Sequence, residues 1–237
     1  MSRLPAALLC AALLGASHPP VPAAPPAARQ AFLDQGTFVI ARDGDEIGRE
    51  EFAIRPTAGG RGEGGVLAVA TVRYRDRELR AALELTRDRV PVSYQLDVTA
   101  AGRLVERITG QFGRDRFSER VVTPAREVAR EFPAPPGAVV LDDDVFDQFY
   151  FLPHAAGAPA RITVVRPRQD TLVTADVQPL GPDTVLVGTR RVPADHYAVI
   201  LPGNDRREVW FSPAGDLLKV AVPAAAITAT RLALPPR

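Results

Sequence analysis

Apolar and polar residues alternate along most of this chain, and that period of two limits its fold more than any other feature. In residues 91–99, Val92, Tyr94, Leu96 and Val98 alternate with polar or charged neighbours. Successive side chains of a β-strand point to opposite faces, so the pattern is typical of strands with one buried face. About a dozen segments follow it, each of ordinary strand length.

Short turns separate these segments, among them Asp43-Gly44, Ala101-Gly102 and Gly203-Asn204-Asp205. Gly, Asn and Asp tolerate the positive φ of tight hairpins, so consecutive strands should run antiparallel. Several strands also carry apolar residues on their second face, as Ala198 and Ile200 do. We therefore predict an all-β, mainly antiparallel fold. It is a strongly curved meander sheet, or a half or partly closed barrel, of about a dozen strands.

The first residues have the organisation of a secretory leader. A basic start at Arg3 precedes an apolar run, and Val21-Pro22-Ala23 offers the small residues that a signal peptidase accepts. The apolar run is too short to span a membrane. We predict a signal peptide at 1–23, a Pro/Ala-rich tether at 24–31 and a single β domain at 32–237.

Composition excludes two classes of function. The 29 basic residues are matched by 28 acidic ones, which leaves no excess positive charge to bind nucleic acid. Cys10 is the only cysteine and lies inside the predicted leader. We therefore expect neither disulfides nor thiolate chemistry in the mature protein.

One stretch departs from the strand pattern: residues 141–154 read LDDDVFDQFYFLPH. Asp142 is placed to cap a helix, and the two aspartates after it would lie in the favourable field of the helix N-terminus. We predict one short helix near 142–152 that covers the apolar concavity of the sheet.

The same stretch and the rest of the chain give little sign of catalysis or of metal binding. A calcium loop alternates its ligands around a Gly, which this run does not do. His154 and His196 have no carboxylate at a supporting spacing. The glycine-rich string at 59–65 precedes a strand, whereas a phosphate-binding loop precedes a helix. We predict no catalytic residue, no metal site and no cofactor.

Three features together carry a family resemblance: the leader with its long meander, LDDDVFDQFYFL at 141–152, and REVWFSPAGDLLKVAVP at 207–223. In these the chain resembles uncharacterised exported bacterial proteins classed as domains of unknown function, whose curved sheet is similar to that of the Lol-type lipoprotein carriers. The resemblance covers most of 32–234. It implies a half-barrel with an apolar concave side beneath a helix, in the periplasm or at the outer membrane. The chain departs from the Lol carriers in having less helical sequence and no lipobox at Cys10.

Three functions fit this sequence. Our prediction is a non-enzymatic envelope protein that holds an apolar or lipid-like ligand in the concavity, in contact with Phe146, Phe149, Tyr150 and Trp210. The alternative is a structural or interaction module of the cell envelope, with a filled core and a protein partner. A secreted hydrolase with converging carboxylates is the third.

Overall fold

The computed structural model describes residues 32–58, 64–153 and 158–235. The predicted signal peptide at 1–23, the tether at 24–31 and His154 lie outside these ranges. Within the described part of the chain, no helix has the length and apolar character of a membrane span.

Strands dominate the structure, as the alternation predicts. They are β1 (Asp34–Arg42), β2 (Asp45–Thr57), β3 (Gly65–Tyr74), β4 (Arg77–Thr86), β5 (Pro91–Ala100), β6 (Arg103–Phe112), β7 (Arg116–Val122), β8 (Glu127–Pro133), β9 (Val139–Val140), β10 (Ala160–Arg166), β11 (Thr171–Val187), β12 (Arg190–Leu201), β13 (Asp205–Phe211), β14 (Leu217–Val222) and β15 (Ile227–Arg231). In the described ranges, four short 3-10 helices join them: η1 (Asp147–Phe151), η2 (Pro167–Gln169), η3 (Pro202–Asn204) and η4 (Pro223–Ala225).

All these strands belong to one sheet, in the order β8-β7-β6-β5-β4-β3-β2-β1-β15-β14-β13-β12-β11-β10-β9. Neighbours pair antiparallel except β9 and β10, which are parallel. The predicted turns form hairpins. Asp43 and Gly44, for instance, join β1 to β2 with φ of 52° and 92°. Two meanders therefore meet where β15 pairs with β1, in the register Phe38↔Arg231.

The sheet curls so that one face encloses a core. Inward side chains from both meanders are buried, among them Phe38, Ile40, Phe52, Ile54, Ala68, Leu83, Leu96, Val199, Val220 and Ala229. Residues 91–99 show the expected alternation, since Tyr94, Leu96 and Val98 are buried and Gln95 is exposed. The prediction of an antiparallel, strongly curved sheet that is not fully closed is confirmed.

The two edge strands of the sheet, β8 and β9, approach each other without pairing. We call the gap between these edges the seam. There Phe117 of β7 and Val165 of β10 belong to one small apolar cluster. Phe117 lies against Gly110, where an added Cβ would come within 2.3 Å of its ring. Ion pairs from Arg130 to Asp170 and from Arg168 to Glu106 also span the seam.

Candidate functional site

Residues 141–152 pass through the interior of the curled sheet, and we call this segment the plug. At one end, Asp144 accepts hydrogen bonds from Tyr74 at the end of β3 and from Arg77 at the start of β4. At the other end, the guanidinium of Arg89, in the turn after β4, lies 5.4 Å from the ring centroid of Tyr150. The plug therefore spans the length of β4 and fills the concavity.

The predicted helix near 142–152 is not formed. The helical part of the plug is only the 3-10 turn η1, and Asp142 does not cap it. The cap comes from the opposite wall, where the Glu50 carboxylate of β2 accepts the N–H groups of Phe146 at 2.7 Å and Asp147 at 2.6 Å. Asp144 has a left-handed φ of 67°, which no helix running from Asp142 could accommodate. The predicted capping role of Asp142 is wrong.

Glu50 and Asp147 place two carboxyl groups in the core. Glu50 is fully buried, although an isolated acid on a strand is usually solvated. Burial, and secondarily the nearby Asp147, raises the pKa of Glu50 well above its ordinary value. Burial also raises the pKa of Asp147. The raised pKa values favour the protonated forms of Glu50 and Asp147, and a protonated carboxyl group is less costly to bury than a charged one.

Asp142 anchors the start of the plug. Its carboxylate accepts the Tyr94 hydroxyl at 2.8 Å and the Asp143 N–H at 3.0 Å, while its own N–H donates to Gln148 at 2.6 Å. Burial raises the pKa of Asp142 to about 6 despite these hydrogen bonds and the nearby Arg168. The first of the three aspartates therefore holds the plug to β5.

The other two aspartates lie in a network of arginines at the end of the interior beside the β3–β4 turn. We call this the open end. Asp143 pairs with Arg166 at 2.9 Å, and Asp144 pairs with Arg77 at 3.0 Å and Arg168 at 3.4 Å. Two of the three aspartates that suggested a helix N-terminus are therefore ion-pair partners.

Beside this network is an open cavity of about 460 Å³, which we call the mouth cavity. Its charged rim comprises Arg42, Arg77, Arg166, Arg207, Asp142, Asp143, Asp144 and Asp205. Its apolar wall comprises Leu141, Val145, Phe146, Phe149, Leu201, Val222 and Ile227, with Ala224 and Ala225 of η4 beside them. A small ligand with both polar and apolar parts would find partners here.

The four predicted ligand-contacting residues are not brought together. Phe146 and Phe149 are buried in the plug and line the mouth cavity. Tyr150 is half-buried at the opposite end of the interior. Trp210 belongs to a separate cluster on the outer face of the sheet.

The position of Trp210 corrects the prediction that it faces the concavity. Val209 and Phe211 point into the core, so the residue between them points out. Trp210 stacks on His196 with ring centroids 4.1 Å apart, and the Lys219 ammonium lies 4.5 Å from its ring centroid. Its indole N–H donates to Asp183 at 2.8 Å. The alternation of inward and outward residues at 207–211 already indicates that Trp210 points away from the core.

His196 is the histidine that lies within the described ranges. His196 lies 3.2 Å from Glu208 on the outer face, beside the Trp210 ring. The described residues also contain no group of three or more His, Cys, Asp or Glu side chains arranged to hold a metal ion.

A further acid lies inside the sheet near the seam. Glu119 of β7 is 3% exposed, and neither of its carboxylate oxygens has a hydrogen-bond partner in the described part of the chain. Burial raises its pKa to about 7, although Arg130 acts in the opposite direction. Sequence reasoning missed it because Glu119 reads as one polar residue of an ordinary strand.

Glu119→Gln is expected to stabilise the protein at pH 8 by about 2 kcal/mol, after allowing for solvent screening at the seam. The pKa of Glu119 is about 7 in the folded protein and 4.5 ordinarily. The contribution of protonated Glu119 to stability is therefore fully present below pH 4.5 and is lost as pH rises through 7. Glutamine does not ionise and escapes this loss. Urea unfolding at pH 4 and pH 8 measures the effect, and the exposed Glu84→Gln serves as the control. An equal gain at both pH values would contradict the assignment.

Comparison with known proteins supports the fold and no more. No protein-family model matches the chain, and no curated protein matches it. A crystal structure from Brucella abortus, described as a beta-barrel-like protein of domain of unknown function DUF1849, is similar with a TM-score of 0.51 and 10% identity. The match covers 85% of this chain and 96% of that chain. This match fits the part of the expected resemblance that concerns bacterial proteins of unknown function, and it shows a shared fold.

Proposed function

We propose that this chain is an exported, non-enzymatic binding protein of a bacterial envelope, and that its ligand site is the mouth cavity. The leader-like sequence at 1–23 supports export to the periplasm or the outer membrane. Glu50 and Asp147, the two carboxyl groups of the core, are buried and do not line the mouth cavity, and the His196–Glu208 pair lies on the outer face of the sheet.

The main support for the proposal is that the plug fills most of the interior and leaves a cavity at the open end. The plug fills the concavity with Phe146, Phe149 and Leu152, so a ligand cannot lie along its full length. The space that remains is at the open end, where about 460 Å³ adjoins both Phe146 and Phe149. This volume lies within the range of small-molecule sites, about 300–1,000 Å³, and the mixture of apolar wall and polar rim is typical of them.

The test is binding of a neutral apolar dye, N-phenyl-1-naphthylamine, measured by its fluorescence. Ala225 is exposed on η4 and lines the cavity, so Ala225→Trp should fill the space and abolish binding. Ala214→Trp is the control, because Ala214 is exposed in the β13–β14 turn at the opposite end of the sheet. Absence of binding by the parent protein, or equal binding by both variants, would count against this site.

A second function has a specific observation in its favour. The filled interior is what a structural or interaction module of the envelope would show, with a protein partner in place of a small ligand. Phe146, Phe149 and Leu152 all have less than one tenth of their surface exposed. A parent protein that binds no dye would favour this alternative.

A further inference from the structure

Among the residues that the structure describes, the rim of the mouth cavity has one positive charge without a partner. Arg77, Arg166 and Arg207 each form an ion pair with a rim aspartate, at 3.0, 2.9 and 2.8 Å. Among the cavity's arginines, Arg42 is the one whose guanidinium forms no ion pair or hydrogen bond with the described residues. It is also exposed, at the end of β1. A guanidinium so placed has its donors available to a ligand.

The rim acids, in contrast, are already engaged. Asp143 accepts from Arg166 and Gln169 through different oxygens, and Asp144 accepts from Tyr74 and Arg77 in the same manner. A cationic ligand would compete with these donors for the carboxylate oxygens. An anionic ligand would meet Arg42 without displacing any of them.

Next to the rim, the cavity wall is apolar. Leu201, Val222 and Ile227 line it and are each less than one tenth exposed, and Phe149 of the plug faces the same space. Arg42 pairs with Ile227 across the β1–β15 ladder, so the free guanidinium and the apolar wall are adjacent. A ligand with its charge at Arg42 could place an apolar part against this wall.

We infer that the mouth cavity recognises a small anionic amphiphile, with a carboxylate or phosphate head at Arg42 and an apolar body against Leu201, Val222 and Ile227. Guanidinium groups match the planar, two-oxygen edge of these heads. The inference names the ligand class of the proposed binding site and therefore rests on the proposed function.

Calorimetric titration with ligands that share one apolar chain tests the head group. We expect octanoate or octyl phosphate to bind about tenfold or more tightly than octanol, and octyltrimethylammonium to bind no better than octanol. Whichever anion binds more tightly identifies the head, and inorganic phosphate alone should bind more weakly than octyl phosphate. Equal affinity for octanoate, octyl phosphate and octanol would overturn the inference, as would inorganic phosphate matching octyl phosphate.

Arg42→Gln locates the head. This variant should lose about tenfold in affinity for the preferred anion and leave octanol binding unchanged. Arg103→Gln is the matched control, because Arg103 is exposed beside the β5–β6 turn and is not part of the cavity lining. Unchanged affinity for the anion in Arg42→Gln would overturn the assignment of the head to this residue. Dye binding that Ala225→Trp abolishes would still support the site itself. If neither dye nor octyl ligand binds, the site and its ligand class fail together.

Discussion

Arg231→Met is expected to lower the free energy of unfolding by about 3–5 kcal/mol, because it leaves a buried carboxylate without its partner. Arg231 is fully buried, and its guanidinium contacts Asp34 at 2.5 and 2.9 Å. Its remaining N–H groups donate to the carbonyls of Gln35, Leu217 and Ala233. All five of its donors are therefore used, and they tie β1, β14 and β15 together where the two meanders meet.

Urea unfolding compares Arg231→Met with Arg107→Met, which breaks an exposed ion pair with Asp97 and should change the free energy of unfolding little. Adding Asp34→Asn to Arg231→Met should recover part of the loss, since the uncompensated charge is then removed. A loss in Arg231→Met no larger than that in Arg107→Met would contradict the importance of this pair.

Phe149→Ala should also cost about 3–5 kcal/mol, the range for truncating a phenylalanine in a filled interior. Phe149 is 6% exposed and packs among the inward residues of the sheet. The same change at Phe32, which is 41% exposed, should stay within about 0.5 kcal/mol and is the control. Melting and urea unfolding of both variants measure the difference. A loss of under about 1 kcal/mol at Phe149 would mean that the plug is loosely packed, and would reopen the concavity as a ligand site.

Much of the architecture could be predicted from local patterns. Alternation located most of the strands, and turn chemistry showed that neighbours along the chain pair antiparallel. The pairing of β1 with β15 could not be predicted in this way, because it joins segments far apart in sequence. The predicted helix near 142–152 reduces to the 3-10 turn η1, and its cap is Glu50 of β2, which only the tertiary fold brings to Phe146 and Asp147.

The site was less predictable than the fold. Phe146 and Phe149 were named as ligand contacts within the predicted helix, and both line the mouth cavity. Arg42 was not named, because it reads as one charge before a turn. Arg42 matters because the aspartates of the plug pair with other arginines and leave it free. Those other arginines come from β4, β10, η2 and β13. Charge partners from separate elements leave no signal in a single sequence.

The pairing of β15 with β1 bears on how the chain folds during synthesis. Asp34 and Arg231 are 197 residues apart, so the middle of the sheet forms between the earliest and the latest of the described strands. β1 can pair with β2 early, but its other edge stays unpaired until β15 is made. Such long-range closure is slow, and an open apolar edge is prone to pair with another chain. We therefore expect the nascent protein to need protection from aggregation until its last strand has joined the sheet.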